Sequence, residues 1–235
     1  MKHLQRDLDA LKKEVLTMGS MVEEATNKAI TSLTQRSPEL AEEVLSGDDS
    51  IDQKELSVEE SCLKALALHQ PVAGDLRFIV AVMKVNNDLE RMGDLAQNIA
   101  ERSLYLSTHD PIPADLDFER MVDRVRQMVS MSLDALVNQD SLLARKVCSL
   151  DDEVDEYNRH MFVMLQELMH RDQSTIERAV HTLSVARHLE RIADLATNIA
   201  EDIVFMVEGD VIRHQPEGTK LDELGDADLR RGSAR

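Results

Sequence analysis

The sequence predicts an all-α protein of two homologous three-helix bundles, six long helices related by an approximate internal two-fold, and three observations carry that reading. Aromatic residues make up 3% of the chain and Trp is absent, while Leu, Val, Ala, Ile and Met supply the apolar set, a composition suited to helix packing more than to sheets. Apolar residues recur at alternating spacings of four and three, the rhythm of a helix that buries one stripe. The segment Leu89-Glu90-Arg91-Met92-Gly93-Asp94-Leu95-Ala96-Gln97-Asn98-Ile99-Ala100-Glu101 returns at an offset of 100 as Leu189-Glu190-Arg191-Ile192-Ala193-Asp194-Leu195-Ala196-Thr197-Asn198-Ile199-Ala200-Glu201.

Each element follows from local signals. Leu4, Leu8, Leu11, Val15, Met18, Val22, Ala25 and Ala29 share one seam of a first long helix. Ser37-Pro38 supplies an N-cap residue and a proline at the first helical position, and the pattern resumes through Leu40, Val44, Ile51, Val58 and Leu66. A third helix starts near Pro71 to Asp75 and runs to about Leu106. Two prolines in the segment Thr108 to Pro113 cannot lie inside one regular helix and end the first unit. Beyond it Phe118, Val122, Val125, Val129, Ser132 and Leu136 restart the rhythm. Asp140 offers a new N-cap, and periodic stretches extend to about His170 and then from about Gln173 to Glu208. Ser37 pairs with Asp140, and Asp48-Asp49-Ser50-Ile51-Asp52 with Asp151-Asp152-Glu153-Val154-Asp155, at an offset of 103, so a short indel separates helices two and three of the units. The expected layout is a first bundle over 1–107, a linker over 108–114, a second bundle over 115–208 and a polar, disordered tail over 209–235.

Chemistry concentrates in carboxylates. At 100° per residue, Glu90, Asp94, Asn98 and Glu101 fall within an arc of roughly 80°, opposite the apolar stripe, and Glu190, Asp194, Asn198 and Glu201 repeat the arrangement. Helix two adds Asp48, Asp49 and Asp52, matched by Asp151, Asp152 and Asp155. A solvated face needs charge but not the same residue at the same position twice, whereas a metal site needs oxygen ligands at i,i+4 spacing, and clustered like charge costs energy unless a cation offsets it. Oxygen donors without nearby Cys suit Mg, Mn or Fe more than Zn.

Other signals are poor. Glu167-Leu168-Met169-His170 is a single E-x-x-H where a carboxylate-bridged di-metal enzyme would want two. The remaining histidines lack the spacing of a metal pair, Cys62 and Cys148 read as reduced thiols, and neither a phosphate-binding glycine loop nor a nucleophile elbow is present, so no catalytic residue is assigned. With 27 basic against 45 acidic residues the net charge is -18, a field that repels nucleic acid and anionic lipid. The start Met1-Lys2-His3-Leu4 has no apolar signal core, and no apolar run approaches the roughly 20 residues of a spanning helix. The expectation is a cytoplasmic protein without membrane insertion or direct nucleic-acid contact.

Pro71-x-Ala73-x-Asp75-Leu76-Arg77, Asp88-Leu89-Glu90-Arg91-Met92-Gly93-Asp94, and His188-Leu189-Glu190-Arg191-Ile192-Ala193-Asp194 through Asn198-Ile199-Ala200-Glu201-Asp202 resemble the PhoU family, accessory and regulatory proteins of phosphate-specific transport. Met18-Gly19 and the closing Val207 to His214 fit the same resemblance. It implies a negative regulator of phosphate uptake and of the phosphate two-component response, an adaptor contacting the ATPase subunit of a phosphate ABC transporter and a sensor histidine kinase. It also implies metal ions on E/D-x-x-x-D carboxylates, here Asp48 and Asp52, Glu90 and Asp94, Asp151 and Asp155, and Glu190 and Asp194. Ala193 departs from the family's usual glycine. The competing class is a metal store or di-metal enzyme on a helical bundle. The apolar seams leave a homodimer open unless all are spent internally.

Overall fold

The computed structural model describes residues 2–114 and 116–212. Helices α1 (Lys2–Thr34), α2 (Pro38–His69) and α3 (Ala73–Ser107) form the first unit, and α4 (Phe118–Asn138), α5 (Ser141–Cys148), α6 (Asp151–Arg171) and α7 (Ile176–Glu208) the second. Among the described residues there is no strand, and no helix is long and apolar enough to cross a membrane. Residues 213–235, most of the expected tail and the end of the closing motif, lie outside the described residues.

Helix ends follow the sequence signals. Ser37 Oγ accepts the Leu40 N–H, with Pro38 next in the chain, and Asp140 accepts the N–H groups of Leu142 and Leu143 at 3.0 Å each. Gly209 closes α7 at φ 81°, the left-handed cap that glycine enters without steric cost, and its N–H reaches Phe205 O.

One expectation is corrected. The stretch from Asp140 to about His170 is two helices, because α5 stops at Cys148 and α6 starts at Asp151. Ser149 Oγ donates to Lys146 O, the carbonyl that would accept the Leu150 N–H in a continuous helix. That N–H turns instead to Val147 O, and the Leu150 side chain packs against the core. In α2 the counterpart Ser46 makes the same bond to Glu43 O at 3.0 Å and the helix runs through unbroken, so the difference lies one residue on, where Gly47 has no side chain to bury in the place of Leu150. A short 3-10 turn, Gln173–Thr175, also precedes α7.

The units meet along α3 and α7, the most extensively packed helix pair. Lys84 meets Asp202 and Tyr105 stacks on His181, so the helices run antiparallel. Lys84 and Asp202 are equidistant along their helices from Gly93 and Ala193, as an internal two-fold requires. An exchange of antiparallel neighbours places that axis normal to the plane containing both helices, so both units present equivalent side chains on one face. The burial pattern over 91–100 is identical to that over 191–200, with Leu89, Met92, Ile99, Leu189, Ile192 and Ile199 fully buried.

Candidate metal centre

The first centre grows from the meeting of α2 and α3. Asp48 and Asp52 lie one turn apart on α2, Asp94 comes across from α3, and one carboxylate oxygen from each lies within 4.8 Å of the others. Three anions this close oppose each other's ionisation. Asp48 is pushed above its ordinary pKa by burial and then by Asp52, Asp94 and Asp49, and Asp94 by burial and then by Asp52. Glu90, one turn before Asp94, is raised by burial and then by Asp94, Asp52 and Glu55.

Two groups that periodicity does not reveal complete the surroundings. Gln97 Nε2 donates to Asp48 Oδ2 at 3.0 Å and orients that carboxylate. Glu55 extends the acidic run along α2 and is raised by burial and then by Glu59 and Asp52, while Asn86 Nδ2 donates to the Glu55 backbone O at 3.0 Å. The repeated segment carried a signal for Gln97, since it and Thr197 occupy equivalent positions on the side facing the aspartate-bearing helix. Asn98, grouped by periodicity with the acids, donates instead to Asp94 O in its own helix.

The second centre uses the same positions more loosely. Among the described residues only Asp48, Asp52 and Asp94 have their ligand atoms within 4.8 Å of one another. Asp151 is nevertheless pushed up to about 6, by burial first and then by Asp194 and Asp155, so these groups share one neighbourhood. The buried Thr197 hydroxyl lies close enough to Asp151 to oppose that rise without forming a well-shaped hydrogen bond. Asp194, exposed at its surface but crowded by neighbouring atoms, is pushed up to about 6 by burial, Glu190 and Asp155. Glu190 is raised by burial and Asp155 but pulled down by Arg187 and Arg191. The first centre therefore brings three acids together with Arg91 beside Glu90, and the second adds Arg187 to Arg191, the counterpart of Arg91, beside its looser acids.

Asp48, Asp52 and Asp94 fit a hard cation in geometry and donor type: their oxygens come together from two helices, and like charge raises the cost of leaving them unoffset. The lone E-x-x-H does not join them, since Glu167 accepts from Arg171 at 3.0 Å. Cys62 and Cys148 are free, and burial pushes both thiols up to about 12.

A family model described as the PhoU domain matches residues 15–103 and 118–203, one copy per unit. A phosphate-specific transport system accessory protein PhoU homolog from Aquifex aeolicus is 43% identical over 212 residues, covering 90% of this chain and 96% of the relative. The crystal structure of PhoU from Pseudomonas aeruginosa superposes with TM-score 0.85 at 34% identity, covering 88% of this chain and 99% of that one. The crystal structure of the phosphate transport system regulatory protein PhoU from Streptococcus pneumoniae gives 0.79 at 28% identity, covering 88% and 98%. With both repeats matched and relatives aligned along nearly their whole length, the chain belongs to the PhoU family.

Proposed function

We propose that this protein is a metal-binding regulatory adaptor of phosphate transport. It acts on the cytoplasmic side between the ATPase subunit of a phosphate ABC transporter and a sensor histidine kinase, and represses uptake and the two-component response when phosphate is plentiful. The observation that carries the reading is the convergence of Asp48, Asp52 and Asp94 from two helices, repeated in outline by Asp151, Asp155 and Asp194 on the same face of the molecule. The accessory and regulatory roles named for the relatives support the transport context.

The residues that would hold cations are Asp48, Asp52, Glu90 and Asp94 in the first unit and Asp151, Asp155, Glu190 and Asp194 in the second. A bound Mg²⁺, Mn²⁺ or iron ion would supply positive charge and rigidity. The protein's own part is to present the face and, through differential contact, to shift an equilibrium that the kinase already possesses. No bond is made or broken by the adaptor.

The test is binding of the purified chain to the transporter ATPase and to the kinase cytoplasmic domain, with Mn²⁺, with Mg²⁺ and with chelator. Asp52→Ala combined with Glu90→Ala is expected to lose metal and to weaken at least one partner. If that variant keeps metal content, partner binding and phosphate-dependent repression, the role of the face is wrong. Metal uptake without any partner contact would favour a store.

A further inference from the structure

The two ends of the α3–α7 seam can be compared position by position, because the repeat gives each residue at one end a counterpart at the other. At the first end charges are matched: Lys84 pairs with the buried Asp202 at 3.0 Å, and Arg91 faces Asp88 at 3.9 Å. At the second end the counterparts of Lys84, Asp88, Arg91 and Asp202 are Ser184, His188, Arg191 and Arg102, and Arg187 replaces Asn87. Both acids are gone and arginines have been gained.

Tyr105 stacks on His181, so the antiparallel register sets Arg102, one turn before Tyr105, against Ser184, one turn beyond His181, while Arg187 and Arg191 lie one turn apart on α7 to either side of His188. Among the described residues none of the three makes an ion pair. The nearby acids are committed elsewhere: Glu177 accepts the Tyr105 hydroxyl at 3.0 Å, and Glu190 and Asp194, which feel Arg187 and Arg191, belong to the second carboxylate centre. Ser184 Oγ lies 3.3 Å from His188 Nε2, and the buried Nδ1 atoms of His181 and His188 have no hydrogen-bond partner. Tyr105 stacks on His181 at 3.8 Å and on His109 at 4.0 Å, which holds this end of the seam in place.

We propose that Arg102, Arg187 and Arg191, with Ser184 and His188 beside them, bind free inorganic phosphate. Guanidinium forks match tetrahedral oxyanions in geometry, and three clustered cations repel one another until an anion offsets them. A small free anion is favoured over phosphate carried on a polymer or membrane, because the net charge of -18 repels an extended polyanion while a compact dianion meets only the local patch. The site borders the second carboxylate centre, so phosphate would be sensed beside the face proposed to carry metal and partners.

Equilibrium dialysis of the full chain against radiolabelled inorganic phosphate, after chelation so that no metal bridges the anion, tests this without partners. Saturable binding is expected, weakened about tenfold or more by Arg102→Gln with Arg187→Gln. Arg91→Gln, at the matched end, should stay within about twofold of the parent. The exposed Arg187→Gln alone carries the comparison if the double variant loses its circular dichroism. Absence of saturable uptake, equal weakening by Arg91→Gln, or binding to phosphatidic acid vesicles without uptake of free phosphate would each overturn the site. Because metal and partners are left out, these outcomes are separate from failure of the adaptor reading.

Discussion

A single methyl group has changed places between the repeats. In the first unit a Cβ built on Gly93 would lie 3.2 Å from Ile51 Cγ2, and in the second the matching positions hold Ala193 and Val154, both fully buried. The smaller β-branched residue accompanies the larger small residue, which conserves volume at the contact. Ile51→Val alone is expected to cost about 1 kcal/mol. Adding Gly93→Ala should recover it, since the new methyl fills the vacated space and alanine gains about 1 kcal/mol of helix propensity over glycine. Urea denaturation of the four proteins in this cycle should give a favourable coupling of about 1 kcal/mol. The carboxylates make a pH prediction at the same scale. Asp151 and Asp194 have folded pKa values near 6, above the ordinary 3.8, so between roughly pH 4 and 6 the folded state holds protons that the unfolded state has released. Stability from these groups therefore falls as pH rises through that window, and the penalty is complete above about 6. Melting curves of the metal-free chain should show this slope, Asp194→Asn should flatten it, and Mn²⁺ at neutral pH should raise the melting temperature of the parent more than that of the variant.

At the scale of elements, charge and capping decide where helices stop and meet. Asp140 satisfies two amide donors at the start of α5, and Asp140→Ala is expected to destabilise the chain by about 1 kcal/mol in a denaturation midpoint assay. Lys84 compensates Asp202, which is 2% exposed on the α3–α7 seam, and its ammonium also lies 5.4 Å from the Phe205 ring centroid. Lys84→Met should cost about 1–2 kcal/mol, below the full penalty for stranding a buried charge because the lysine is itself half exposed. Calorimetry of this variant beside Arg91→Gln, whose ion pair is longer and more open, should show the larger loss for Lys84. The broken helix α5–α6 belongs to this scale too. A serine hydroxyl on the carbonyl three residues back is common to both repeats, at Ser46 and Ser149, so the break goes with Leu150 turning onto the core where Gly47 has no side chain, a tertiary contact that helix period does not record.

Across the whole molecule, α3 and α7 each serve their own unit and the other at once. Neither unit can open its core along that seam without exposing apolar surface of both, so heat or urea should unfold the chain in one cooperative transition. Calorimetric and van't Hoff enthalpies are expected to agree, and two separate transitions would mean that the seam contributes less than its packing suggests. The antiparallel register also places both carboxylate centres on one face about the two-fold axis, which gives a partner a single surface carrying two related sites.

The sequence by itself determined the helical class, the repeat, the caps at Ser37 and Asp140, and the eight carboxylates as candidates, because helix period and internal offset are local properties written along the chain. Tertiary structure alone decided that Asp48, Asp52 and Asp94 close into one cluster while their counterparts stay looser. It also placed Gln97 on Asp48, turned Asn98 back onto its own helix, and gathered Arg102, Arg187 and Arg191 at one end of the seam. Each of these depends on how one helix is set against another. That placement is fixed by the summed packing of all the apolar faces, and no spacing within a single helix encodes it.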